Sequence, residues 1–415
     1  MADVQVARVD TRPPVGPVRA ATGAVATTIA CVLPVFLVGG LAVQMGDELG
    51  FTPFGLGLAV SVYFGVSALA SVPTGALVER YGAARTARAG ILVAATSLLA
   101  IALLARSFAS LVVLLAVSAG ANALGQLASN RVLARHVPAG RQGLSFGIKQ
   151  AAIPVSTLLA GASVPLVALT AGWRWAFGAA AGVALAALWL VPPEERTGSR
   201  RASSRSGTGV TGPLVVLGAA ATLAAGSANA LGTFLVDSSA AQGLDPGLAG
   251  LTLTFGSVVC IAGRVLGGWL ADERGGRHVP AIAAMLAIGA AGLGLLAVGS
   301  APALVAGVVL GFGLGWAWPG VLNFTVVRLH PAAPAAATSI TQTGVYAGGA
   351  IGPIALGSVA AHSGYPAMWL ASAASMLAAA GLMLLGGRMV TRRGHTGVRG
   401  GSTAARRRPL PRTAG

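Results

Sequence analysis

Charged side chains are scarce: Asp, Glu, Lys and Arg make up only 9% of the 415 residues, against 55% hydrophobic ones. A soluble domain carries about 25% charged residues, so a water-exposed fold is excluded. Lysine is scarcer still, because Lys149 is the one lysine among 28 basic residues. Cysteine is confined to Cys31 and Cys260, both inside apolar stretches. That placement excludes a disulfide framework and a cysteine-based metal cluster, and makes both packing residues. No Asp, Glu or His falls at the middle of an apolar stretch, Asp237 lying toward an end, so a buried carboxylate proton relay has no residues to run on. No nucleophile and base stand at catalytic spacing within those stretches, and neither an enzyme nor a cofactor nor a metal site is expected.

What is present is length of apolar chain. A membrane span needs about 20 apolar residues to cross about 30 Å of hydrocarbon. Twelve stretches qualify: 21–44, 54–78, 87–105, 109–130, 143–167, 174–191, 213–236, 247–271, 280–299, 302–327, 336–360 and 367–387. All are predicted to be helices, since lipid offers no partner to an open backbone. The first is too long for a signal-peptide core and is expected to be retained. The net charge of +17 raises the question of nucleic acid, and the location of the bases answers it. With the amino terminus inside, all but four bases lie on the cytoplasmic side; Arg106 and Arg174 face outward and Lys149 and Arg264 lie within helices. That is the positive-inside pattern of a multi-pass protein with both termini cytoplasmic, and it calls for lipid rather than nucleic acid as partner.

Residues 1–20 carry three prolines and mixed charge and read as a disordered arm. Residues 192–213 hold Glu194, Glu195, arginines and a Ser/Gly-rich run, a flexible linker. Residues 388–415 form a basic cytoplasmic tail suited to anionic lipid. The segments between, 21–191 and 214–387, repeat one another. Gly75, Glu79 and Gly82 recur as Gly268, Asp272 and Gly275, each 193 residues on. Thr52-Pro53, a helix cap followed by a first-turn proline, recurs as Asp245-Pro246. Asn130, Arg135 and Pro138 match Asn323, Arg328 and Pro331, and Gln150 matches Gln342 after a one-residue deletion. The fold class expected is therefore an all-α membrane protein of twelve transmembrane helices in two parallel, pseudo-symmetric six-helix bundles.

The run Gly75, Glu79, Arg80, Gly82, Arg85 resembles the signature between helices 2 and 3 of the major facilitator superfamily, and Gly268, Asp272, Gly275 resembles its weaker second copy. Glu79 stands where Asp is usual, and Ala83 and Ala84 where bases are common. The resemblance implies a secondary transporter working by alternating access, with a small-molecule substrate, a possible coupling ion and a monomeric carrier. In physical terms Gly75 admits a close neighbouring helix, and Glu79 can meet a base or a helix N-terminus from the other half. The motif then acts as a gate; the alternative is a solvated loop obeying the inside rule.

Lys149 lies roughly 9 Å inside the membrane edge if its helix starts near Gly143. It can bind an anion, snorkel to the cytosol or make a structural hydrogen bond. Arg264 shares a helix face with Gly268 and Asp272, so it belongs either to the gate or, as a bidentate fork, to a substrate carboxylate or phosphate. Helix 8 arginines contact substrate in several anion-carrying branches of the superfamily. Asn122, Gln126 and Asn130 form a stripe suited to a cavity wall or to interhelical hydrogen bonds. Five tryptophans, Trp173, Trp175, Trp189, Trp269 and Trp369, fall near interfaces as an aromatic belt. Trp316 and Trp318 sit mid-span beside Pro319 and near Asn323; about 200° apart on a helix, only one is expected to face a cavity. The drug/proton antiporter pattern is missing, since no base lies between Arg106 and Arg131 and the Gly348, Gly352, Pro353 run falls in the eleventh stretch. A transporter of a small organic anion in a bacterial cytoplasmic (inner) membrane is the leading expectation, with Lys149 and Arg264 holding it and Gln150, Asn122, Gln126, Asn323 and Gln342 nearby. The alternative is an exporter of a neutral or amphipathic compound, lined by Trp316, Tyr63 and Tyr346.

Overall fold

The computed structural model describes residues 16–136, 142–193, 212–273, 278–329 and 334–404. Gly275, Pro138, Pro331, most of the expected linker and the last residues of the expected tail lie outside them. The described residues form helices joined by short turns. The first half holds α1 (Pro17–Gly40), α2 (Ala42–Leu49), α3 (Pro53–Tyr81), α4 (Ala83–Leu104), α5 (Phe108–His136) and α6 (Gln142–Ser163), then α7 (Leu169–Ala171) and α8 (Trp173–Ala187). The second half holds α9 (Gly212–Ala241), α10 (Pro246–Glu273), α11 (His278–Leu295), α12 (Ala301–Leu310), α13 (Pro319–Leu329) and α14 (Pro334–Ala404).

Eleven segments among the described residues are long and apolar enough to span a membrane. The last, Ile340–Val390, runs 51 residues, more than twice what one crossing needs. Gly364 breaks it with φ 79° and ψ 169°, a backbone state open to glycine and closed to most other residues. The two last expected stretches fall on either side of that break.

Caps stand where the sequence places them. Thr52 Oγ1 accepts the Gly55 N–H at 3.4 Å with Pro53 opening α3, and Asp245 Oδ1 accepts the Gly247 N–H at 2.8 Å before α10. Between these helices the packing uses small residues. Among the helix pairs that join the halves are α1 with α9, α3 with α14 and α6 with α10. At their contacts Gly39 meets the Gly232 carbonyl, Gly57 meets the Pro353 carbonyl and Gly161 faces Gly250 and Thr254. A methyl group at Gly161 would stand 2.5 Å from the Gly250 oxygen and 2.7 Å from Thr254 Oγ1. Close helix approach of this kind gives membrane bundles their packing energy. Cys31 packs likewise, its Sγ 2.7 Å from where a Cβ on Gly125 would lie.

A polar bracket closes one end of the bundle. Arg174 Nη1 donates to Glu48 Oε1 at 2.5 Å and Oε2 at 2.7 Å, and Trp173 Nε1 donates to Glu48 Oε2 at 2.6 Å. Arg174 Nη2 reaches the Ala105 carbonyl at 2.9 Å, so α2, α8 and the end of α4 are tied together. The bracket corrects the expected aromatic belt, because Glu48 draws Trp173 inward and buries it; Trp369 is buried too, while Trp175, Trp189 and Trp269 are exposed.

Two outcomes follow for thermal unfolding in detergent. Gly161→Ala lowers the midpoint, as overpacking costs about 1–3 kcal/mol, whereas Gly178→Ala, where a Cβ would meet nothing within 4 Å, does not. The hydrogen bonds from Arg174 and Trp173 hold Glu48 below the usual carboxylate range. A folded pKa below the unfolded one contributes stability above about pH 4.3 that is lost as pH falls. The midpoint therefore drops on acidification below that value, and Glu48→Gln removes this component of the drop.

Candidate functional site

The bundle holds a cavity of ≈ 70 Å³. Lys149 and Arg264 both line it, from α6 and α10. Asn122, Gln126 and Asn130 of α5 bring the expected polar stripe to the same wall, and Gln150, Gln342 and Tyr346 join them. The two expected sources of cation thus meet in one place.

Lys149 is buried at 6% exposure and donates from Nζ to Gln126 Oε1 at 2.5 Å. Of its three sequence readings, snorkelling to water is set aside by that burial. Asn122 Nδ2 donates to Ser67 Oγ at 3.1 Å, which serves the interhelical reading of the stripe. Its Oδ1 is buried without a hydrogen-bond partner, so half of that amide is left to the cavity.

Arg264, at 1% exposure, is the largest buried cation of the site. Its Nε and Nη2 donate to the Trp316 carbonyl at 3.1 and 2.9 Å, and Nη1 donates to the Gln150 carbonyl. The guanidinium lies 5.9 Å from the Trp316 ring centroid. Arg264 and Asp272 share α10 but part company: Asp272 goes to the rim, where its Oδ2 accepts the Leu144 N–H at 2.9 Å. Leu144 is in the first turn of α6, so a carboxylate of the second half sits on a helix N-terminus of the first, a favourable charge–dipole contact. Beside it the Gly268 Cα is 3.5 Å from where a Cβ on Gly147 would stand.

The first copy of the motif is not engaged in the same way. A Cβ on Gly75 would meet nothing within 4 Å, so the expected close neighbour is absent there. Glu79 and Arg80 are exposed, with the Arg80 guanidinium over the Tyr81 ring at 5.4 Å. Gly82, at φ 87°, turns the chain from α3 into α4, and Arg85 follows on the exposed face of that turn.

Two expected lining residues stand elsewhere. Tyr63 is fully buried and donates its hydroxyl to the Cys31 carbonyl at 2.8 Å, satisfying it inside the first half. Asn323 is half-buried on α13 away from the cavity. Trp316 and Trp318 both line the cavity, contrary to the expectation that only one could. The 200° argument assumes an α-helix, whereas a π-turn at Gly311–Gly315 and three turn residues precede Pro319 here. Asn229 of α9 also lines the wall. Its signal was a lone amide within an apolar span, the same that marked Asn122. Phe36 and Phe64 complete an aromatic side, Phe36 lying 5.8 Å from Trp316 edge to face. Among the described lining residues there is no Asp or Glu. Two cations therefore share a buried cavity without a carboxylate, an arrangement that favours an incoming anion.

Comparison with curated protein sequences found no match. Among solved structures the chain is similar to a bacterial homologue of the human lysosomal transporter Spinster, crystallised in an inward-facing and occupied conformation. The TM-score is 0.70 at 17% identity, covering 89% of this chain and 96% of that one, a likeness of fold. The family model of the Major Facilitator Superfamily matches residues 24–353 and, overlapping, 216–412. With the helical spans and the cavity between the halves, that match across nearly the whole chain makes this protein a member of the Major Facilitator Superfamily, a multi-pass membrane transporter.

Proposed function

We propose that this transporter carries a small organic anion across a bacterial cytoplasmic membrane by alternating access. The observation that carries the reading is the pairing of Lys149 and Arg264 in one cavity with no acidic residue among its described lining residues. Lys149 is the anchor for the cargo's negative charge, and the amides of Asn122, Gln126, Gln150 and Gln342 complete its hydrogen bonds. The aromatic side supports a cargo with an apolar body, which makes benzoate a suitable probe.

The reading includes twelve crossings, with the break at Gly364 dividing the long last span, in two parallel six-helix bundles. Both termini are cytoplasmic and the carrier is a monomer. The paired caps at Thr52 and Asp245 and the three matched helix contacts between halves support the repeat. The end holding Gly39, Gly57 and Gly161 is shut by close packing. At the other end Asp272 is engaged while the Gly75 face stands open. We read these as one closed and one open half of a cytoplasmic gate, made and broken as the halves rock. With no carboxylate among the described lining residues, any coupling ion in this reading acts through the anion itself rather than through a buried acid.

A second reading, export of an amphipathic compound, is favoured by the aromatic side formed by Phe36, Phe64, Trp316, Trp318 and Tyr346.

In reconstituted vesicles Lys149→Gln reduces benzoate uptake about tenfold or more, since a hydrogen bond to a charged group contributes about 1.5–3 kcal/mol. Its unfolding midpoint stays near wild type; undiminished uptake would defeat the anion reading. Wild-type vesicles that extrude a neutral amphipathic compound but never accumulate benzoate would favour export. Asp272→Ala, by uncapping α6, lowers the unfolding midpoint at a cost of about 0.5–2 kcal/mol, and Asp272→Asn, which keeps an acceptor, costs less.

A further inference from the structure

Arg264 has two partners that ordinary helices would not offer. Within a helix the carbonyl of residue i accepts the N–H of residue i+4, so the Gln150 carbonyl looks to residue 154. That residue is Pro154, inside α6, which has no N–H. The Trp316 carbonyl is freed in a related way. The turn there closes on the tighter pattern, with the Ala317 N–H donating to the Leu314 carbonyl at 3.4 Å. Continued by two residues, that pattern would have the Trp316 carbonyl accept from residue 319, which is Pro319, again without an N–H. Two buried carbonyls, one in each half, are thus left over by prolines. Arg264 serves both, Nη1 on Gln150 and Nε with Nη2 on Trp316.

We propose that Arg264 is a clasp between the halves whose fork is shared between the Gln150 carbonyl and the transported anion. In the empty carrier the guanidinium joins α6 to the turn before α13 through two proline-freed oxygens. An anion arriving beside Lys149 takes the Nη1 edge, because a carboxylate is a stronger acceptor than a neutral carbonyl. The Gln150 carbonyl then loses its donor, and the contact of α6 with α10 is loosened when cargo is present. Pro154 is the residue that makes this exchange possible, since an N–H there would compete with the Arg264 fork for the Gln150 carbonyl. Arg264 in this role positions the two halves and reads the cargo, while Lys149 supplies the anchoring charge. The sharing with cargo rests on the anion reading; the clasp itself does not.

The test is a double-mutant cycle on the full-length carrier in detergent, using Pro154→Ala, Arg264→Lys and their combination. Benzoate affinity by calorimetric titration reads the sharing. Pro154→Ala returns an N–H to the Gln150 carbonyl and releases the fork, so benzoate binds about tenfold tighter in that variant, as a charge-assisted bond no longer has a competitor. In the Arg264→Lys background the same substitution leaves benzoate affinity unchanged, and that non-additivity is the signature. Equal tightening in both backgrounds, or none in either, would overturn the sharing. The unfolding midpoint without ligand reads the clasp: Arg264→Lys lowers it, and adding Pro154→Ala recovers part of the loss. Strictly additive shifts would overturn the clasp. A wild type that fails to bind benzoate sinks the anion reading and with it the sharing, while the midpoint cycle still decides the clasp.

Discussion

In the hydrocarbon of a membrane no water is at hand for a free N–H or C=O, and every backbone group has to find its partner inside the protein. The helices answer that constraint over most of the chain. Proline breaks it locally, by withdrawing one donor per residue. Pro154 leaves the Gln150 carbonyl without its own donor, and Pro319 leaves that of Trp316. Arg264 supplies the missing N–H groups from a third helix, α10, at 3.1 and 2.9 Å for the Trp316 oxygen. A single buried side chain thereby satisfies irregular backbone in both halves at the point where the cavity lies. Irregular backbone at membrane depth is tolerated where it is buried in protein or lines a cavity, and here it does both.

The same constraint shapes the contacts around the cavity. Lipid offers no hydrophobic drive for helices to associate, so close approach has to supply dispersion contact instead. Glycine at Gly39, Gly57 and Gly161 lets backbones touch across the halves at one end. At the other end the close approach of Gly147 to Gly268 is joined by a polar contact, a carboxylate on a helix N-terminus between Asp272 and Leu144. Packing of small residues excludes water, whereas a hydrogen bond to a carboxylate is one that water can also make. The two motif copies differ in engagement in this structure, which their shared glycine and acid spacing could not have conveyed.

Much of the architecture was legible because membrane physics is one-dimensional. Span length and the caps at Thr52 and Asp245 are local properties of the chain, and the structure repeats them. The site was legible in part. Lys149, Arg264, Gln150, Gln342 and the α5 stripe were marked because an ionisable or amide side chain deep in an apolar span costs free energy unless it has a partner. The rule does not cover Tyr63, expected on a cavity wall, whose hydroxyl found the Cys31 carbonyl within its own half. It stayed silent on Phe36 and Phe64, since an apolar ring facing a cavity looks in sequence like one facing lipid. Trp318 was set aside through helical geometry that does not hold where the backbone departs from α.

The sequence by itself determined that the chain lives in lipid, that it is helical, that it carries a duplicated loop motif, and that two cations lie within spans. These follow from composition and spacing, which a lipid solvent reads directly. Only the tertiary structure decided that Lys149 and Arg264 share one cavity, that Asp272 leaves Arg264 for the N-terminus of α6, and that the Gly75 face stands open. Each of those depends on which helix packs against which and at what rotation. That outcome is set by contacts between residues more than a hundred positions apart, such as Arg264 with Gln150 and Asp272 with Leu144, and no local pattern encodes it.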